Sequence, residues 1–187
     1  MSGFYLLALF ALWLFVGWII YHFWKSRRPE NFFQRLVHIT IGILLSSAWF
    51  GGAFWEVTGK KMYWDAKVRE LCAKDGGVKV YETVVLPEDQ VDKWGRVLFY
   101  QPTEKENALG KEYLFKSETE LLRNDDPKVR RFQYQIYRRN DKKLLGMAVS
   151  YYRIGGDLPG FWHSSSFGCP QNAGDASLVR KVFVKKK

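Results

Sequence analysis

The sequence predicts a membrane-anchored α+β protein, in which an N-terminal transmembrane hairpin of two helices precedes an extramembrane domain. Two observations predict the anchor and its boundary. The stretches Gly3 to Trp24 and Leu36 to Trp55 contain no Asp, Glu, Lys or Arg. Nearly all of the charge lies from residue 56 onward, where the hydrophobic pattern becomes that of an ordinary globular domain. This division excludes a soluble protein, a disordered chain and a transporter of many helices.

Both apolar stretches are long enough to span a bilayer. As helices, the spans 3–24 and 36–55 reach about 33 and about 30 Å, against a hydrocarbon core of about 30 Å. Aromatic residues stand near their ends, as at a membrane–water boundary: Tyr5, Tyr21, Trp24, Trp49 and Trp55. We do not expect the first stretch to be a cleaved signal peptide, because no basic residue precedes it and no small-residue cleavage site follows it.

The basic residues predict the orientation of the hairpin. The loop 25–35 holds four basic residues and one acidic residue, whereas the N-terminal flank holds no basic residue. The positive-inside rule therefore places this loop in the cytoplasm and both termini outside it. A comparable cluster follows the second span: Lys60, Lys61, Lys67 and Arg69. Because long domains translocate despite such charge, we expect residues 1–58 to be anchored in a bacterial inner membrane and residues 59–187 to be periplasmic.

The second span carries small residues four positions apart. The pairs are Gly42 with Ser46, Ser47 with Gly51, and Ala48 with Gly52. This spacing lets the backbones of two helices approach closely inside a bilayer. The sequence leaves two partners open for this surface, the first span of the same chain and a helix of another membrane protein.

In residues 59–187 the pattern predicts one amphipathic helix packed on an antiparallel sheet of about five or six strands. The helix is predicted by an apolar stripe of Trp64, Val68, Leu71 and Cys72, and Gly76-Gly77 ends it. Strands are predicted at 78–86, 97–100, 113–122, 131–139, 145–151 and 178–184.

The clearest pair of strands turns at Asn140-Asp141. Alternation predicts that Phe132, Tyr134 and Ile136 share one face of the sheet. We expect that apolar face to continue on the returning strand, through Leu145, Met147, Val149 and Tyr151.

The two cysteines of the chain, Cys72 and Cys169, both lie in the domain predicted to be outside the cytoplasm. An even number of cysteines in an oxidising compartment favours a disulfide. Closing a loop of about 100 residues stabilises a fold by about 4–5 kcal/mol in the chain-entropy model. We therefore predict a bond between the two.

A catalytic alternative uses the long loop 155–175, with Cys169 as nucleophile, His163 as base and Asp157 as the group that orients the base. These residues crowd into one loop and carry no signature of a cysteine peptidase, which makes a membrane-tethered hydrolase the second hypothesis. We expect neither a metal nor a cofactor, because no ligand set or glycine-rich phosphate loop is present.

We expect a non-enzymatic protein whose periplasmic domain binds or positions another protein of an envelope complex. The long loop carries apolar residues suited to an interface: Leu158, Phe161, Trp162 and Phe167. The expected partners are the lipid bilayer and another membrane or envelope protein, or a second copy of this chain. Despite the net charge of +10, a periplasmic location excludes nucleic acid. A small inhibitory or host-protecting membrane factor remains a further alternative.

Overall fold

The computed structural model describes residues 2–27, 29–157 and 164–186. The chain divides into two compact units: residues 60–157 and 165–187 form the second, and residues 1–59 lie in the first.

The first unit consists of helices α1 (Ser2–Ser26) and α2 (Phe32–Phe54), followed by a π-helical turn (Trp55–Gly59). In the part of the chain that the structure describes, two helices are long and apolar enough to cross a membrane, by length and composition. None of the described side chains of α1 and α2 is buried. The two apolar helices predicted at the N-terminus are therefore present.

Helices α1 and α2 pack by placing an indole over a glycine in each direction. A Cβ atom on Gly17 of α1 would lie 3.6 Å from Nε1 of Trp49, and one on Gly42 of α2 would lie 3.1 Å from Nε1 of Trp24. The rings of Trp13 and Trp49 stack with centroids 5.6 Å apart. The absence of a side chain at each glycine lets a large aromatic side chain of the facing helix approach the backbone.

The second unit contains helices α3 (Lys60–Asp75) and α4 (Asp175–Val182). Its strands are β1 (Gly77–Val80), β2 (Val84–Leu86), β3 (Tyr113–Arg123), β4 (Lys128–Arg138), β5 (Leu144–Ile154), β6 (Ser166–Cys169) and β7 (Phe183–Lys185). Five of them form an antiparallel sheet in the order β1-β5-β4-β3, with β6 also paired to β5. The remaining two, β2 and β7, form a parallel pair.

Strand β5 is buried on both faces of the sheet. On one face, Val68 of α3 packs with Val149 and Tyr151. On the other face, Leu178 and Val182 of α4 belong to a larger core that includes Ile136 and Ala148. A strand that is covered on both faces has a nearly continuous apolar sequence, and residues 144–152 show this pattern.

The register of β4 with β5 shows that the predicted arrangement of apolar residues on one face of the sheet was wrong. Phe132, Tyr134 and Ile136 lie opposite Ser150, Ala148 and Gly146, and not on the face of Met147, Val149 and Tyr151. An irregularity between Ile136 and Tyr137 shifts the pairing near the turn. Because side chains alternate with a period of two, a shift of one residue moves a whole apolar set to the opposite face.

The predicted helix at 64–72 is confirmed as part of α3, and Gly77 follows it with φ at 120°, a conformation that favours glycine. The strand predicted at 178–184 was wrong over most of its length, because residues 175–182 form α4. Leu178, Val179 and Val182 are its buried residues, and their spacing is that of one helical face. The second unit thus has two helices instead of one.

Two further strand predictions need correction. The predicted strand 78–86 is interrupted, because its first part joins β5 in the antiparallel sheet and its second part joins β7 in the parallel pair. The predicted strand 97–100 contributes only an isolated bridge between Val91 and Val97.

A buried ion pair ties α3 to the end of β5. The side chain of Arg153 is 1% exposed, and its Nε donates to Oδ1 of Asp65 at 2.5 Å. The same guanidinium donates to the carbonyl oxygen of Gly155 and, at 3.1 Å, to the hydroxyl of Ser165. A charge removed from water to this extent needs all of these partners to offset its lost hydration.

We predict that Asp65→Ala destabilises the second unit by about 3–5 kcal/mol, because it leaves the charge of Arg153 buried without a counterion. The measurement is urea unfolding of the full chain in detergent, followed by near-ultraviolet circular dichroism. Glu70→Ala is the matched control on the same helix, since the pairs of Glu70 with Lys67 and Lys74 are exposed and should contribute little. Equal losses in the two variants would contradict the role of the buried pair.

Candidate functional site

A groove lies on the face of the sheet that also carries α4, and its cavity volume is about 690 Å³. Strands β3 and β4 supply its floor, where Phe115 of β3 and Tyr134 of β4 stack with centroids 6.0 Å apart. A 3₁₀ helix (Pro102–Asn107) and the start of α4 supply its walls. The residues lining it are Tyr100, Pro102, Lys105, Glu106, Phe115, Lys116, Ser117, Glu118, Tyr134 and Asp175. We call this cavity the aromatic groove.

The strand register places the floor residues on this face. Phe115 lies opposite Ile136, and Ser117 lies opposite Tyr134. Ile136 belongs to the core that α4 covers, so Phe115 and Tyr134 lie on the same apolar face of the sheet. Tyr100 continues it, with its ring centroid 5.9 Å from that of Phe115.

A tyrosine–carboxylate hydrogen bond joins two walls of the groove. The hydroxyl of Tyr100 donates to Oδ2 of Asp175 at 2.7 Å. Burial and the neighbouring Asp175 carboxylate raise the pKa of Tyr100 well above its ordinary value. Burial, and then the charge of Asp175, also raise the pKa of Tyr134. Both hydroxyls are therefore protonated hydrogen-bond donors at neutral pH.

The chemistry of the groove favours binding. Its floor is aromatic, the hydroxyl groups of Tyr100, Ser117 and Tyr134 and the carboxylate of Asp175 line it, and the 3₁₀ helix adds charges of both signs at Lys105 and Glu106. A cavity with an apolar floor and a few polar groups orients a ligand by hydrogen bonds while burying its apolar surface. Among the described residues, neither histidine nor cysteine lines the groove.

Strand β3 adds a backbone surface beside the groove. It lies at the end of the strand order and, among the described residues, pairs with β4 alone. A strand at the edge of a sheet presents unpaired N–H and C=O groups to any extended segment that approaches it. An extended segment can therefore place side chains in the groove while its backbone pairs with the edge of β3.

The structure brings Cys72 of α3 and Cys169 of β6 to disulfide-bonding distance, with their Cα atoms 6.1 Å apart. This agrees with the pairing predicted from the cysteine count. Phe167, predicted as an interface residue, is half-buried, with the guanidinium of Arg69 5.1 Å from its ring. Its ring packs against the core around Val68 and Val149.

Most of the predicted loop site lies outside the described residues: Leu158, Phe161, Trp162 and His163. Asp157 is described and is half-buried. The small residues predicted for helix packing divide into two groups. Gly42 packs under Trp24 of α1, whereas a Cβ atom on Gly51 or Gly52 would have no described atom within 4 Å. Ser46, Ser47 and Ala48 are exposed.

Sequence reasoning did not find the aromatic groove. Its central contact joins residues 75 positions apart, and residues 155–175 were interpreted as a loop, so Asp175 was not recognised as the first residue of a helix. The one sequence signal for the groove within a single element was that Phe115 and Ser117, two positions apart on β3, share a face of the strand.

No protein-family model, curated protein or solved structure matches the chain. Among the described residues, no three His, Cys, Asp or Glu side chains are grouped so that they could hold a metal ion.

We predict that Tyr100 stabilises the fold below pH about 10 and that this contribution is lost as the pH rises further. The unfolded chain ionises tyrosine near pH 10, whereas the raised pKa of Tyr100 keeps the folded chain protonated. Tyr100→Phe should remove this part of the alkaline loss of stability, measured by thermal unfolding across that pH range. In a pH titration followed by tyrosinate absorbance, the variant should also lack one tyrosine that ionises at a higher pH than an ordinary tyrosine. An unchanged alkaline titration would contradict the assignment.

Proposed function

We propose that this chain is a non-enzymatic membrane protein of a bacterial envelope, whose periplasmic domain binds another protein. The observation that carries the membrane part is the exposure of α1 and α2. Phe23, Phe33 and Leu44 are 70%, 73% and 63% exposed. Apolar surface in water costs roughly 25 cal/mol per Å², so a continuous exposed surface on two helices requires lipid to cover it.

The orientation follows from charge. The loop 25–35 holds four basic residues and one acidic residue, and loops with more basic residues are retained in the cytoplasm. If this loop is cytoplasmic, the two helices of the anchor, residues 1–58, cross the membrane in opposite directions. The domain, residues 59–187, then lies in the periplasm. The pairing of Cys72 with Cys169 supports this assignment, because disulfides persist in oxidising compartments and are rare in the cytosol.

The aromatic groove is the proposed binding surface of the domain. Its protonated tyrosines and its charges of both signs suit the backbone and side chains of a polypeptide, and the adjoining edge of β3 can pair with an extended segment. Paired cysteines also argue against the hydrolase alternative, since a bonded Cys169 supplies no thiolate. The partner is therefore bound and positioned, not chemically changed.

The membrane part offers a second contact for the same partner. Gly51 and Gly52 lie at the end of α2 that precedes the domain, and no described atom would contact a side chain there. Small residues at this position allow a helix of another membrane protein to approach the backbone closely. The helix-packing role predicted for Gly42 is already used within the hairpin.

The test is crosslinking in intact membranes, followed by mild detergent extraction and identification of the captured complex. Ser117→Tyr places a ring in the aromatic groove and should reduce recovery of a specific larger complex by about tenfold, the effect of losing one strong interface contact. Thr119→Tyr is the matched control, because Thr119 lies on the same strand and face but does not line the groove.

Gly51→Leu should weaken the same complex while the domain stays folded, as checked by the unchanged pairing of its cysteines. A chain that yields no complex in any form, or equal losses for Ser117→Tyr and Thr119→Tyr, would overturn the groove as the binding surface. A phenotype lost on His163→Ala alone would favour the hydrolase.

A further inference from the structure

A second cavity, of about 420 Å³, lies in the first unit beside the loop that joins α1 to α2. Its polar end is formed by Arg27, just after the last residue of α1. Its apolar side is formed by Phe33, Val37 and Ile41 of α2. These three residues are four positions apart, so they line up on one face of the helix over about 12 Å.

One polar atom beside this cavity has no hydrogen-bonding partner among the described residues. Nε2 of His38 is buried and makes no hydrogen bond with any described residue. The imidazole is held by Trp24, whose ring stacks on it with a centroid distance of 4.1 Å. Trp24 is itself fixed over Gly42. Since buried polar groups in folded proteins are hydrogen-bonded in the great majority of cases, this atom is open to a hydrogen bond with a polar group of a bound molecule.

We infer that this cavity binds one phospholipid with an anionic headgroup, and this inference rests on the proposed insertion of α1 and α2 in a membrane. The headgroup lies against Arg27, next to His38, and an acyl chain lies along Phe33, Val37 and Ile41. The lining becomes apolar with distance from the loop, as a phospholipid does with distance from its headgroup. Basic pockets at the cytoplasmic ends of membrane helices recognise anionic headgroups in this way.

The surrounding charge selects an anionic lipid over a zwitterionic one. The loop 25–35 has three more basic than acidic residues, since Glu30 is its one acidic residue. The positive charge of this loop stabilises a headgroup with net negative charge. A phosphatidylcholine headgroup carries no net charge and is not stabilised in this way. The preference should therefore be for phosphatidylglycerol or another anionic phospholipid.

The experiment is native mass spectrometry of the full-length chain in mild detergent, titrated with phosphatidylglycerol or with phosphatidylcholine of the same acyl chains. We expect one phosphatidylglycerol to bind more tightly than any phosphatidylcholine. Arg27→Gln should weaken that binding roughly fivefold, the effect of one basic residue near an anionic headgroup. Binding of phosphatidylcholine should not change.

Arg35→Gln is the matched control, because it removes one charge from the same loop at a residue that does not line the cavity. Equal weakening by both variants, or equal affinity for the two lipids, would overturn the inference. Glycerol 1-phosphate, which has the anion without acyl chains, should not displace the lipid; displacement would assign the site to a free phosphate.

Extraction of cell membranes with alkaline carbonate separates this inference from the proposed function. A chain that stays in the membrane but shows no lipid preference overturns only the lipid site. A chain released by carbonate overturns the membrane anchor, and the lipid site with it.

Discussion

The burial of β5 on both faces is the constraint on which the second unit depends. Helix α3 covers one face and α4 the other, and a Cβ atom on Gly146 would lie 2.7 Å from Val182. Three links fix α3 to its face. Asp65 pairs with Arg153, Cys72 lies at bonding distance from Cys169, and Asp75 accepts a hydrogen bond from Tyr151 at 2.7 Å. Because α3 is the first helix of the second unit, these links hold the start of that unit against its sheet.

The sequence predicted the elements whose pattern is local and missed those set by tertiary contacts. The apolar helices and α3 were found because their stripes run over several turns. The pairing of Cys72 with Cys169 was predicted from their even number and from the compartment expected for the domain. The register of β4 with β5 was missed because the irregularity at Ile136 leaves no sequence signal. Helix α4 was missed because its eight residues make only about two turns, too few for the helical period to be distinguished from a short apolar strand.

The groove illustrates the same limit for a functional site. Tyr100 and Asp175 meet only because the 3₁₀ segment and α4 converge on one face of the sheet. The pKa values of Tyr100 and Tyr134 support the binding role proposed for the groove. A catalytic acid or base needs a pKa near the working pH, whereas the pKa values of Tyr100 and Tyr134 move away from neutrality. Tyr134, which stays protonated, offers a hydrogen-bond donor to the proposed bound segment, whereas the proton of Tyr100 is held by Asp175.

The central claim is a hairpin anchor that holds a disulfide-bonded domain outside the cytoplasm. The most direct measurement is alkylation in spheroplasts with a maleimide mass tag that cannot cross the inner membrane. The account predicts that Cys72 and Cys169 are both unlabelled at first, and that both become labelled from outside after an impermeant reductant is added. Labelling without reductant would contradict the bond. Labelling that appears only after the inner membrane is broken would contradict the orientation.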